Sequence, residues 1–192
     1  MPSGLLSRVR RPPMLAAIAS AVLVIAWILV YFADPSDNGS GILSPGQPVA
    51  VDRPAPAYAL PLLSETGSVH VGGSPGSVTV VNFWASWCRA CRLEAPDLQS
   101  LWRALGSRGV RFVGVDTEDH KGAATTAARS FGLGYPSGVD AAGAATNGFG
   151  VFGLPMTYVI GPDQRIDYAI FGRIDPTSLK DAIDSVLEGA SG

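Results

Sequence analysis

The sequence predicts an α/β domain with a central mixed β-sheet flanked by helices. A β-ribbon is expected ahead of the sheet, and an apolar transmembrane helix at the N-terminus. Three observations carry this reading. Val78 to Trp84 is a nearly continuous apolar run, the pattern of a strand buried on both faces. A helical stretch and a second apolar strand, Val110 to Val115, follow it, so the two strands are expected parallel with the helix as crossover. Met156–Ile160 and Ile166–Phe171 flank Gly161-Pro162-Asp163-Gln164, a turn sequence, and read as an antiparallel hairpin. Parallel and antiparallel pairs together make a mixed sheet with helices on both faces.

Met14 to Phe32 is an uncharged apolar run of about 19 residues. At about 1.5 Å per residue it nearly crosses a hydrocarbon core about 30 Å thick. Arg8, Arg10 and Arg11 precede it, which leaves residues 1–13 in the cytoplasm and exports the rest. Trp27, Tyr31 and Phe32 crowd its outer half, where aromatic rings suit the membrane interface. A cleaved signal peptide is the rival reading. Against it, the apolar core exceeds the usual ~7–15 residues and no small-x-small site follows Phe32. No cysteine stands near its end, which excludes a lipid anchor, and Pro12-Pro13 spoils the twin arginine Arg10-Arg11 as an export signal. Residues 33–54 are rich in Gly, Pro, Ser and Asp and read as a linker with no core of its own. Residues 55–189 suffice for one domain of ordinary size. The formal net charge of −2 comes with no basic patch, so nucleic acid is not an expected partner.

Within the domain, Tyr58–Leu63 and Val69–Val71 pair as the ribbon around Ser64-Glu65-Thr66-Gly67. The helix beginning near Cys88 carries Leu93, Leu98, Leu101, Trp102 and Leu105 at roughly helical spacing. Pro96 is expected to kink it and Gly106 to stop it. Ala123–Phe131 is a second, weakly patterned helix. Residues 132–153 are glycine-rich and yield only a short helical turn near Ala141–Thr146. Pro176–Leu187 closes the chain as an amphipathic helix with Asp175 as N-cap. Asp116 and Glu118 follow a strand end, where they could line the site, but read first as a solvated loop; His70 and His120 read as surface or turn residues.

The chain has two cysteines, Cys88 and Cys91, at the junction of the apolar strand and the helix. A thiolate at a helix N-terminus lies near unpaired N–H groups and the positive end of the dipole, so its pKa falls. A second thiol one turn on can close back on the first. The pair suits reversible thiol–disulfide chemistry, with Cys88 the exposed nucleophile and Cys91 the buried resolving thiol. An exported domain also meets oxidising conditions, where disulfides persist. Four other readings compete. A structural staple across so short a loop stabilises by only roughly 2 kcal/mol. Zinc lacks further paired ligands beyond His70 and His120. Covalent haem attachment is excluded because Arg92, not His, follows Cys91. Copper held by both cysteines and a histidine stays open. No cofactor and no resident metal is assigned.

Two segments carry a family likeness: Val81-Asn82-Phe83-Trp84-Ala85-Ser86-Trp87-Cys88-Arg89-Ala90-Cys91-Arg92-Leu93-Glu94-Ala95-Pro96 and Gly150-Val151-Phe152-Gly153-Leu154-Pro155-Met156-Thr157. They resemble the thioredoxin superfamily, and more narrowly its membrane-anchored, extracytoplasmic TlpA/ResA/CcmG (DsbE) group. The likeness covers about residues 50–189. It implies a thioredoxin-like fold with Pro155 as a cis-proline beside the disulfide. Leu154 would offer backbone groups to a bound peptide, Trp87 would belong to the substrate site by packing around the disulfide or would be plain core, and Trp84 would belong to the core. Glu94, one turn past Cys91, would tune the thiols or relay a proton; as a plain helix glutamate it would be solvated or paired with an arginine.

By the same resemblance, such proteins reduce client disulfides outside the cytoplasm. Typical clients are the haem-binding cysteines of apocytochrome c or copper-site cysteines, with electrons from a membrane donor of the DsbD/CcdA type. An oxidase that introduces disulfides is the alternative, since Arg89 beside Cys88 stabilises the thiolate. A copper metallochaperone is another. The chain departs from the pattern in three places. Asn82 stands where thioredoxin has a buried Asp, Arg89-Ala90 replaces Gly-Pro, and Met156 stands where CcmG-like proteins often carry Glu.

Overall fold

The computed structural model describes residues 44–64 and 66–190. The apolar run Met14–Phe32 lies outside them, and among the described residues no helix is long and apolar enough to cross a membrane. In chain order the elements are β1 (Val49–Pro54), β2 (Tyr58–Pro61), β3 (Ser68–Val71), β4 (Thr79–Trp84), α1 (Arg89–Leu105), β5 (Arg111–Thr117) and α2 (Lys121–Phe131). Then come β6 (Ser137–Asp140), α3 (Ala144–Phe149), β7 (Met156–Ile160), β8 (Arg165–Phe171) and α4 (Pro176–Gly189). Six strands form one sheet in the order β1-β8-β7-β4-β5-β6, and β2 and β3 make the separate ribbon. β4, β5 and β6 run parallel, whereas β7, β8 and β1 pair antiparallel.

β4 is the central strand, and all six of its residues are buried, as its apolar run requires. Successive side chains leave on opposite faces. Val81 and Phe83 enter a core with Val113, Val115, Tyr158 and Ile160, closed by Leu60 and Val69 of the ribbon and by Phe149 of α3. Val80 faces the other way, against Leu98, Leu101 and Leu105 of α1 and Leu179 and Ile183 of α4. Asn82 and Trp84 are in phase with Val80, so β4 places one polar and one aromatic side chain under the start of α1.

Two regions correct the sequence reading. The expected linker ends in a strand: β1 pairs with β8, and Val49, Val51 and Arg53 alternate inward. Arg53 also donates to the Phe149 carbonyl at 2.6 Å, so β1 is fastened to the domain through a side chain as well. The glycine-rich stretch contains β6 and α3 rather than a turn near Ala141 alone. Gly138 admits β6 to the sheet, because a Cβ there would lie 2.7 Å from the Leu60 side chain and 2.8 Å from that of Val69. Gly106 ends α1 as expected, but it continues into a 3-10 turn, and Gly109 takes the left-handed conformation that reverses the chain.

Candidate active site

The site lies where β4 gives way to α1. The chain leaves Trp84 through Ala85-Ser86-Trp87, and the Cys88 N–H donates to the Ala85 carbonyl at 3.1 Å. Cys88 is the N-cap of α1 in an extended conformation, and its Sγ accepts the Cys91 N–H at 3.1 Å. A thiolate at that place would accept the same N–H and face the positive end of the helix dipole. Cys88 and Cys91 are joined in a disulfide, with Cα atoms 5.3 Å apart.

Cys91 is 2% exposed, the buried partner the sequence suggests. Cys88 is 6% exposed, which corrects its expected exposure. The reason is packing: Trp84, Ala124 and Ala127 form one cluster with both cysteines, and Phe131 and Leu154 press against it. Cys88 keeps one edge on a groove of about 720 Å³ between α1 and α2, lined by Trp87, Arg89, Arg92, Thr126, Ser130 and Phe131. Trp87 is 66% exposed on its rim and is no cover for the disulfide, whereas Trp84 is core. The Leu154–Pro155 peptide is cis. Pro155 is buried, and its carbonyl accepts the Gly172 N–H at 2.9 Å.

Glu94 is wholly buried, neither solvated nor held by an arginine ion pair. Its Oε1 accepts from Asn82 Nδ2 at 2.9 Å and its Oε2 from the Ile174 N–H at 3.0 Å. The second Asn82 N–H goes to Thr157 Oγ1 at 3.0 Å. Burial pushes the Glu94 pKa up to about 7, outweighing the two donors and the more distant Arg173. Asn82 on β4 is thus the donor that orients a buried acid carried by α1. One turn separates it from Cys91, so a carboxyl and a cysteine of the pair share one buried helix face.

Asp116 is a second correction. It belongs to β5, in register with Trp84 of β4, and is fully buried rather than part of a solvated loop. Burial and the charge of Asp119 raise its pKa to about 7. Asp119 itself escaped the sequence reading. Its Oδ2 accepts the Ser86 N–H at 2.7 Å and its Oδ1 the His120 N–H at 2.7 Å, which holds its pKa below the usual carboxylate range. The signal available was an Asp immediately before a helix start. His70 Nε2 lies 3.0 Å from the Gly73 carbonyl, and among the described residues no three His, Cys, Asp or Glu side chains gather as a metal site.

The comparisons with known proteins agree with this geometry. The AhpC/TSA family matches residues 51–169. The thiol:disulfide interchange protein HelX of Rhodobacter capsulatus is 32% identical over 141 residues, 72% of this chain and 78% of that one. The thiol-disulfide oxidoreductase ResA of Geobacillus thermodenitrificans is 29% identical over 139 residues, 72% of this chain and 79% of that one. Among solved structures, a DsbF homologue from Corynebacterium diphtheriae superposes with a TM-score of 0.63 at 26% identity, covering 74% of this chain and 96% of that one. The chain therefore belongs to the AhpC/TSA family and, within it, to the thioredoxin-like thiol–disulfide oxidoreductases.

Proposed function

We propose that the chain is an extracytoplasmic reductant of client disulfides, held at the plasma membrane by residues 14–32, with apocytochrome c as the client class. Residues 1–13 stay in the cytoplasm, and the tether after the anchor ends where β1 begins. The observation that carries the reductive reading is buried Glu94, one turn from Cys91. Cys91 must lose its proton in an apolar place, and a carboxylate with a pKa of about 7 accepts that proton at neutral pH. The oxidase reading rests on Arg89, which is exposed, so solvent screens its effect on the thiolate.

In the reaction, the Cys88 thiolate attacks a client disulfide, forms a mixed disulfide and expels one client thiolate. Cys91 passes its proton to Glu94 and attacks Cys88 Sγ, which expels the second client thiolate. Two electrons move to the client, and the Cys88–Cys91 disulfide returns. An extended client segment would lie along Leu154, between Trp87 and Pro155. A membrane donor of the DsbD/CcdA type would then reduce the pair again.

The test is the reduction potential of the full-length chain in defined thiol–disulfide buffers. A value of about −250 mV or lower supports the reductant. A value of about −120 mV supports disulfide introduction instead, and the apocytochrome reading falls.

A further inference from the structure

Behind the turn that carries Cys88 lies a carboxyl pair that the exchange chemistry does not use. Asp116 is fully buried, and neither of its carboxylate oxygens has a hydrogen-bond donor. An acid so placed is stable only as its neutral form or beside a compensating group. The strands on either side offer no charge in register, since its partners are Trp84 on β4 and Val139 on β6. Asp140, one residue on along β6, is engaged by the Thr146 N–H and hydroxyl, both at 2.8 Å. Glu118 reaches toward Gly143, where a Cβ would stand 3.3 Å from its Oε1. The charge that acts on Asp116 is Asp119, with His120 next to it.

Asp119 occupies a special place. One of its oxygens holds the Ser86 N–H, two residues before Cys88, and the other holds the His120 N–H at the start of α2. A single side chain thereby ties together the two walls of the groove onto which Cys88 opens. We propose that Asp119 is a positioning residue for Cys88, and that Asp116 tunes its hold by gaining or losing a proton. With Asp116 neutral, Asp119 keeps its charge and both N–H bonds, and the Ser86–Cys88 turn is fixed. With Asp116 ionised, its buried charge faces that of the half-buried Asp119, Asp119 is repelled, and the turn loosens. Because burial lifts Asp116 to about 7, both forms are populated near neutral pH.

The test begins with the oxidised full-length chain, whose cysteines do not titrate. The amide resonance of Ser86 is followed between about pH 5 and 9, with the Ile174 amide as the separate reporter of Glu94. Ser86 is expected to inflect near pH 7. Asp116→Asn abolishes that inflection and leaves the one at Ile174, while His120→Gln leaves both. If Ser86 still inflects in Asp116→Asn, or ceases to in His120→Gln, the titrating group is His120 and the proposal fails.

A kinetic arm rests on the reading of Cys88 as nucleophile. In the reduced chain, Asp119→Ala is expected to slow iodoacetamide alkylation of Cys88 at neutral pH by about fivefold, the effect of losing a charge-assisted hydrogen bond. Asp119→Asn, which keeps one acceptor oxygen, recovers part of the rate. An unchanged rate in both variants, with melting temperatures showing them folded, removes Asp119 from the positioning of Cys88. Alkylation at Cys91 in preference to Cys88 in the unaltered chain would defeat the nucleophile reading, and the amide titration would then decide the carboxyl pair alone.

Discussion

Two buried carboxyls flank the disulfide cluster, and they reach the same acidity by opposite routes. Glu94 has a donor on each oxygen, from Asn82 and from the Ile174 backbone. Asp116 has none. Both are nonetheless raised to about 7. For Glu94, desolvation overrides hydrogen bonds that favour the charged form. For Asp116, desolvation acts with a like charge and meets no resistance. The difference lies in what each group is bound to. Glu94 joins β4, α1 and the segment before α4, so its loss disturbs structure. Asp116 meets only Asp119, through charge and a shared carboxyl proton, so its loss should disturb titration far more than structure.

Removing a cysteine has the largest expected effect, because neither carboxyl can act without the thiols. Cys88→Ser should abolish exchange with a disulfide peptide. Cys91→Ser should halt it at the mixed disulfide, which is then recovered covalently on a non-reducing gel. A Cys88→Ser chain that still turned over would move the chemistry off this helix start.

Glu94 comes next. Glu94→Ala leaves Asn82 Nδ2 and the Ile174 N–H without an acceptor, at about 1–3 kcal/mol for each buried donor. Urea unfolding at acidic pH should show that loss. Glu94→Gln keeps one acceptor and turns an amide N–H against the other donor, so it should lose about half as much. The pH dependence separates the two terms. An acid whose pKa is higher in the folded chain binds its proton more tightly there. The stability that Glu94 contributes is therefore complete below its unfolded value and is lost as pH rises through about 7. That loss amounts to roughly 3 kcal/mol between the two limits. In Glu94→Gln this part of the slope should vanish, and a slope identical to that of the unaltered chain would mean that Glu94 is ionised throughout.

Thr157→Val probes the edge of the same network. The hydroxyl accepts the second Asn82 N–H at 3.0 Å, and valine fills its space without an acceptor. The cost should be about 1 kcal/mol or slightly more, read from the shift in urea midpoint. The Ile174 amide should titrate as before, because the Asn82–Glu94 bond survives. A displaced Ile174 titration would show that Thr157 governs the acidity of Glu94 through Asn82.

Much of the fold was legible because its central strands are uniform. β4 and β7 are short apolar runs with every residue buried, and the hairpin of β7 and β8 is announced by its turn. The cysteine pair was legible from spacing and from its place before a helix. β6 was not, since Ser137-Gly138-Val139-Asp140 offers one large apolar side chain and owes its strand to pairing with β5 and to the ribbon above Gly138. β1 was hidden by Pro48, Asp52 and Pro54, although Val49 and Val51 alternate as a strand should. The burial of Glu94 and Asp116 escaped for a different reason. A glutamate in the second turn of a helix reads as solvated, and an aspartate after Val115 reads as the end of a strand. What buries them is distant in sequence: β7 and Ile174 for Glu94, and β6 beside Asp116. Local pattern reports the periodicity of an element, not what the rest of the chain lays over it.

The smallest effect gives the sharpest contrast. Asp116→Asn removes a carboxyl that no donor holds, so at pH values where Asp116 is neutral in both the folded and the unfolded chain nothing is lost but a proton. Urea unfolding at about pH 3.5 should place the variant within about 0.5 kcal/mol of the unaltered chain, whereas Glu94→Gln under the same conditions pays for a misdirected N–H. Above about pH 4 the unfolded chain gives up the Asp116 proton while the folded chain keeps it until about 7, so the unaltered chain loses stability across that window and the variant does not. Asp116→Asn should therefore become the more stable of the two at alkaline pH, a crossing that Glu94→Gln cannot produce without its acid-side loss. If Asp116→Asn were destabilised by more than about 1 kcal/mol at about pH 3.5, Asp116 would be holding structure through a donor. The distinction between a carboxyl that builds the site and one that only titrates beside it would then collapse.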